Sequence, residues 1–383
     1  MEIVIREVLT KFEMKQFAEF PNKLFKKCPN YIPALVNDEL DTLSRKNPAH
    51  EYCDSKYWLA YYGNRIVGRV AAIINHRANE KWNEKKVRFG FFDFIEDINV
   101  CKKLIEKVEE FGREHGMTEV HGPMAFTDMD KECWITKGFN ERQNMTLLYN
   151  LPYYIDFIEK LGYKVSCEWA QNKMPASQPI PDKVARINKL IMEKYKLRLL
   201  KFKNCREIMP YAKSFFEALN DAFNSGGLYS FVPLTEKEIQ IYIKSYFSVL
   251  DPKLVSLVVD ENNEVVAFGI SIPDLNEGFK KAKGKLFPFG WFHILKCMYR
   301  YDTIDLLLNG VRSDWQKKGV HSIYYANMNE VAIAHGIKTA YTNPQIIGNE
   351  AVKIWSNTYD CEEVIRRAVF SKVIEQTIEP QLN

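Results

Sequence analysis

The chain has 383 residues, enough for two domains or three, and 46% of them are hydrophobic, so a large core can be built. Charged residues make up 27% and nearly balance at a net +4, which gives no electrostatic case for a DNA-binding protein. No apolar run reaches the about 18 residues of a membrane-spanning helix, and the opening Met1-Glu-Ile-Val-Ile-Arg-Glu7 lacks the apolar core of a signal peptide.

The first half predicts a strand over Glu2 to Val8, then a helix over Lys11 to Lys27 on the spacing of Phe12, Phe17, Phe20 and Leu24. Pro29 to Pro48 is irregular to helical. Tyr57 to Tyr62 and Ile66 to Ile74 are apolar strands joined by a tight hairpin at Gly63-Asn64-Arg65. A strand over Val87 to Phe94 follows. The amphipathic helix from Val100 to His115 closes at Gly116, where a left-handed cap suits glycine. Thr118 to His121 is a short strand stopped by Gly122-Pro123. Tyr153 to Leu161 is a helix, and a strand starts at Tyr163. Gln171 to Pro181, with Pro175, Pro179 and Pro181 among small polar residues, is the best linker candidate, which sets domains at 1–175 and 181–383.

The second half repeats the order. Helices are expected over Pro181 to Tyr195, Cys205 to Phe223 and Thr235 to Ser248, with a strand over Leu197 to Phe202. Val255 to Val259 and Glu264 to Ile272 form a second hairpin. Ile304 to Val311 reads as a short interior strand that runs into a helix from Ser322 to His335, capped by Gly336. Lys338 to Thr342, a short helix over Asn349 to Asn357 and a strand over Val364 to Val373 complete the set. The helix, cap glycine and strand around His115-Gly116 lie over those around His335-Gly336, which suggests an internal duplication.

The turn between Val311 and Ser322 is polar and basic, with Gly319 where the helix begins. Free backbone N–H groups and the positive end of the helix dipole make such a turn a seat for a phosphate or pyrophosphate. The eight cysteines are scattered, with no Cys-x-x-Cys pair and no histidine cluster, so they read as reduced thiols of a cytoplasmic protein and not as metal ligands. From Gly278 to Arg300 a cationic run passes into a dense aromatic run. It is either an inserted core helix or a surface for something amphiphilic: a lipid-like acceptor, a long acyl chain or an anionic membrane face.

This order of elements resembles the GNAT superfamily of acyl-CoA N-acyltransferases. Family members carry Gln/Arg-x-x-Gly-x-Gly/Ala before the long helix, and Gln316-Lys317-Lys318-Gly319-Val320-His321 stands there; Asn349-Glu350-Ala351 matches a second motif. The resemblance covers about 197 to 373, with a weaker copy over about 2 to 167. It implies an α/β fold of two GNAT-like domains, each a mixed, mostly antiparallel central sheet flanked by helices. It also implies that acetyl-CoA or another acyl-CoA is bound as co-substrate, without a metal. The implied contacts are Leu308, Gly310 and Val311 on the strand, Arg312, Gln316, Lys317, Lys318, Gly319, Val320 and His321 in the turn, and Asn349 beside the pantetheine arm.

Two positions depart from the pattern. His321 stands where the family has Gly or Ala: either its protonated ring adds a contact to phosphate, or its bulk excludes CoA. The family's tyrosine acid falls at Ser356, leaving Tyr359 or Tyr341 to replace it. Asp305 is the best candidate for a general base, its other reading being an ordinary strand acid. In the first half, Ile95-Glu96-Asp97-Ile98-Asn99 puts carboxylates where a diphosphate would sit, so that copy is expected to lack the CoA loop. The expected function is acyl transfer from CoA to an amine, small, large or lipid-like. The rival readings are an inactive GNAT-fold binding protein and an aminoacyl-tRNA-dependent transferase, the latter disfavoured by the weak net charge.

Overall fold

The computed structural model describes residues 2–178, 181–246, 250–348 and 360–374. Fourteen strands are described: β1 (Ile3–Glu7), β2 (Cys53–Tyr62), β3 (Arg65–Asn75), β4 (Lys86–Phe94), β5 (Glu119–Gly122), β6 (Trp134–Lys137), β7 (Lys164–Pro175), β8 (Arg198–Leu200), β9 (Val255–Val259), β10 (Val265–Pro273), β11 (Thr303–Val311), β12 (Thr339–Thr342), β13 (Gln345–Ile346) and β14 (Glu362–Val373). The α-helices are α1 (Lys11–Leu24), α2 (Val36–Leu43), α3 (His76–Trp82), α4 (Ile98–Glu114), α5 (Tyr153–Lys160), α6 (Asp182–Lys194), α7 (Cys205–Ile208), α8 (Ala212–Ser225), α9 (Glu236–Tyr246), α10 (Asn276–Ala282), α11 (Gly290–Tyr299) and α12 (His321–His335). No helix among the described residues is long and apolar enough to cross a membrane.

The chain forms two compact units, and neither is one continuous stretch of sequence. The first comprises residues 1–169, 278–293 and 365–383, and the second 170–277 and 294–364. In the first, β1, β2, β3 and β4 are antiparallel neighbours, β4 and β5 run parallel, and β14 closes antiparallel on β5 with Phe370 opposite Gly122. In the second, β8, β9, β10 and β11 are antiparallel neighbours and β11 and β12 run parallel. β7 closes antiparallel on β12, with Pro175 opposite Thr339. Each sheet is therefore mixed and mostly antiparallel, with one parallel pair joined by one long helix, α4 or α12. A parallel pair needs such a crossover because its strands begin at the same end.

The cap glycines behave alike in both copies. Gly116 has φ 71° and Gly336 φ 67°, the left-handed conformation that ends a helix without a Cβ penalty. The His115 ring nitrogen Nδ1 lies 2.8 Å from the Phe111 carbonyl oxygen, one of the orphan acceptors of the last turn of α4.

Some segments differ from their sequence-based expectation, among them α3 and β6, which form where no element was expected. Residues 171–175, expected in a linker, are strand: Ala340 lies opposite Met174, and the Gln171 side chain donates to the Thr342 carbonyl at 3.2 Å. The helix expected from Cys205 to Phe223 breaks at Met209–Tyr211 into a 3₁₀ turn, because Pro210 lacks the N–H that a continuous helix would use. Within Pro29 to Pro48, expected to be irregular to helical, Val36 to Leu43 is the helical part.

Candidate functional site

The strand β11 is paired on both edges only over its first half. Its parallel register with β12 runs from Thr303↔Thr339 to Leu306↔Thr342 and stops, while β11 continues to Val311 beside β10 alone. Asn343 marks the parting: its backbone N–H donates to the Leu306 carbonyl at 3.2 Å and its side-chain amide to the Leu307 carbonyl at 2.6 Å. A register shift at Ile270/Ser271 leaves Leu307 without a partner on β10, a bulge of the kind that bends a strand away from its neighbour. Leu308 and Gly310–Val311 are thus half-exposed on an open edge, not interior as expected, and their backbone polar groups on that edge have no strand partner among the described residues.

The basic turn follows at once. Ser313–Trp315 make one 3₁₀ turn; Lys317 and Gly319 then take φ 61° and 78°, and α12 starts at His321. Left-handed residues alternating with ordinary ones curl successive N–H groups into a concavity. The backbone N–H groups of Lys317, Lys318, Gly319, Val320 and His321 have no acceptor among the described residues, and α12 has no side-chain cap. The unfilled positive end of a helix is where an anion is best accommodated.

Other side chains hold the turn in shape. The Gln316 amide donates to Ser225 Oγ on α8 at 3.1 Å and to the Val311 carbonyl at 3.2 Å. Asp221, also on α8, accepts from the Ser313 N–H at 2.5 Å and from its hydroxyl at 3.0 Å. Arg312 is committed to Asp314 through two hydrogen bonds of 2.7 and 2.9 Å. Lys318 lies 4.5 Å from the Trp315 ring centre and 5.6 Å from that of Tyr195. A Cβ on Gly319 would lie 2.9 Å from Ile191 Cδ1, and Asn188 on α6 donates to the Ser322 carbonyl at 3.1 Å. Behind this contact a groove of about 510 Å³ runs between α6, β8 and α12, lined by Asn188, Met192, Leu197, Ile323 and Asn327 among others.

The expected site residues therefore separate into groups. Leu308, Gly310 and Val311 line the open edge, and Lys317, Gly319, Val320 and His321 form the concavity. Gln316, Arg312 and Lys318 have their side chains occupied within the protein, so they shape the turn. His321 is half-buried, its ring centre 6.0 Å from that of Tyr325, and burial pushes its pKa below the usual histidine value. The neutral imidazole brings no positive charge to an anion. Asp305 is buried on the closed half of β11, opposite Ile272 and Tyr341 in the register. Asn349, Ser356 and Tyr359 lie outside the described residues. Asp221, Ser225, Asn188 and Asn343 carry no local signal: the first two reach the site from α8, Asn188 from α6, and Asn343 from the residue after β12.

The first unit shows what closes such a site. Its β4 pairs with β5 only from Lys86 to Arg88 and then continues to Phe94 beside β3 alone. Beyond the pairing, rings fill the space: Phe94 stacks on Tyr154 at 4.2 Å between centres, and Trp134 meets Tyr154 edge-on at 5.3 Å. Arg69 is buried there, donating to Asp93 at 2.7 Å and pairing with Glu39. The start of α4 is occupied as well. Asp97 accepts from the Asn99 N–H at 2.8 Å and from the Tyr62 hydroxyl, so the helix end already holds a carboxylate.

No family model matches the chain. It is 27% identical over 328 residues to Protein YghO of Escherichia coli strain K12, spanning 82% of this chain and 80% of that protein. It is 28% identical over 299 residues to the bacterial ceramide synthase of Caulobacter vibrioides, spanning 77% and 76%. Among solved structures it is similar to a tandem GNAT protein from the clavulanic acid biosynthesis pathway, with a TM-score of 0.54 at 10% identity over 98% of this chain and 99% of that one. One parallel pair in a mostly antiparallel sheet, a bulged and parting fourth strand, a basic glycine turn and a long helix define this chain's topology, and together with these likenesses they show that it has the GNAT fold.

Proposed function

We propose that the second unit binds an acyl-CoA and transfers its acyl group to an amine. The observation that carries this reading is the run of five N–H groups from Lys317 to His321 that have no acceptor among the described residues, placed where β11 opens its edge. The pyrophosphate of CoA would take the concavity, and the pantetheine arm would run along Leu308 to Val311 as an added strand, using backbone groups that have no strand partner among the described residues. A backbone N–H of that edge is suitably placed to stabilise the oxyanion that forms on the thioester carbonyl. The amine nitrogen attacks that carbon, the C–N bond forms and the C–S bond breaks. The ammonium proton is lost to solvent or a base, and the thiolate leaves with a proton to become CoA.

The acceptor is proposed to be a long-chain amine. A ceramide is the amide of a fatty acid with a long-chain amino alcohol, so the similarity to a bacterial ceramide synthase supports a lipid-like amine and a long acyl group. Calorimetric titration with acetyl-CoA and palmitoyl-CoA, followed by thiol-release assays over short, polar and long-chain amines, tests the reading. The expected outcome is binding of palmitoyl-CoA and CoA release with long-chain amines. No binding at millimolar ligand overturns it. Binding without release for any amine leaves a non-catalytic binding protein.

A further inference from the structure

From Gly278 to Tyr301 the chain holds no aspartate or glutamate, yet it holds Lys280, Lys281, Lys283, Lys285, Lys296 and Arg300. The structure decides between a core helix and a surface. Phe287 and Phe289 are 72% and 70% exposed, and Leu286, Trp291, Phe292, Leu295 and Tyr299 are exposed too. Trp291, Leu295 and Tyr299 follow one another at four-residue spacing, so α11 turns an apolar stripe to solvent.

The segment is firmly built. The Gly284 carbonyl accepts from the Val36 N–H at 3.0 Å, and a Cβ on Gly284 would come within 2.5 Å of the Asn22 side-chain nitrogen. The Trp291 N–H donates to the Leu286 carbonyl at 2.8 Å, its indole N–H to the Pro288 carbonyl at 2.9 Å, and the Phe292 N–H to the Phe289 carbonyl at 3.2 Å. A fixed turn thus holds two phenyl rings out in water, and contiguous apolar exposure of this kind marks a contact surface.

We infer that this surface docks onto an anionic lipid membrane, with Phe287, Phe289 and Trp291 entering the headgroup boundary and Lys281, Lys283 and Lys285 meeting lipid phosphates. Aromatic tips set among cations, with no acid between them, match the interface in both polarity and charge. A second copy of the same face would set lysine against lysine, which disfavours self-association through it. The inference does not rest on the acyl-transfer reading, since vesicle binding needs no CoA.

Sedimentation with phosphatidylcholine vesicles, with and without one third phosphatidylglycerol, tests it. The full chain is expected to sediment with the anionic vesicles, weakly with the neutral ones, and less as salt rises. The Phe287→Ser/Phe289→Ser double variant and the Lys281→Glu/Lys283→Glu/Lys285→Glu triple variant should each lower the bound-to-free ratio about ten-fold or more, with unchanged circular dichroism and thermal midpoint. Failure to sediment, equal binding to neutral vesicles, or a dimer in ultracentrifugation that the phenylalanine variants dissolve overturns the inference.

Discussion

The side-chain amide of Gln316 donates to the main-chain carbonyl of Val311, 3.2 Å away, and so ties the turn back onto the last residue of the open strand. Its second bond, to Ser225 Oγ, fixes the same turn to α8. Gln316→Ala removes both. Each exposed hydrogen bond contributes about 0.5–1.5 kcal/mol, and here that energy holds the concavity in its binding shape. We expect palmitoyl-CoA affinity to fall about ten-fold with little change in the thermal midpoint, measured by calorimetry and a melting curve.

Gly319→Ala should destabilise for two separable reasons. A left-handed φ costs a residue with a Cβ about 1–2 kcal/mol, and the new Cβ presses on Ile191. The added Ile191→Ala change should relieve the pressure and not the strain. Denaturant midpoints of the single and double variants, each against its proper parent, separate the two. A single variant as stable as the parent protein contradicts the left-handed turn.

The half-buried imidazole of His321 predicts acid sensitivity. In the unfolded chain histidine titrates near 6.5, and in the fold burial holds it lower. Above about pH 6.5 both states are neutral at this position and nothing is lost. As pH falls through that value the unfolded chain takes the proton first, so stability drops until the folded pKa is reached. His321→Asn should therefore lose less in thermal midpoint than the parent between about pH 7.5 and 5.5. The remaining slope belongs in part to His121, which burial and its neighbours Arg88 and Lys86 hold further below the usual value. At about pH 7.5 the variant's affinity for acyl-CoA should stay within about two-fold, because a neutral ring offers the diphosphate no charge.

Asp97→Ala tests the closed end of the first unit. Losing a cap of this type costs about 1 kcal/mol, a drop of roughly 2–4 °C in melting temperature for a domain of this size. No CoA binding should appear in the first unit, because the rings of Phe94, Trp134 and Tyr154 still occupy the space an arm would need. A second binding event in calorimetry would contradict that.

Much of this was legible from residue order. The hairpins, α4 and α12, their cap glycines and the turn at Gly319 all follow from local periodicity and from the few residues that tolerate positive φ. What stayed hidden is non-local. Gln171 to Pro175 look like a linker because polar residues and a proline dominate them, and only pairing with Thr339 to Tyr341 makes them strand. Leu307 to Val311 read as interior because the sequence cannot show that β12 ends early. Arg312, Gln316 and Lys318 have the right chemistry for phosphate, but Asp314, Ser225 and the rings of Trp315 and Tyr195 engage them first.

The closing strands have a consequence for synthesis. The first unit's sheet ends in β14, which lies at the far end of the chain, and the second begins with β7, made before the rest of its sheet. A ribosome that has produced the first 178 residues has therefore made no complete domain: the β5 edge waits for residues 370–373. From the completion of β5 until residue 370 is made, that edge lacks its β14 partner. The protein's folding is governed by contacts between distant parts of the chain, which form slowly and expose the intermediate to misassembly. Truncation near residue 178, the natural place to cut by sequence, would leave that edge permanently open.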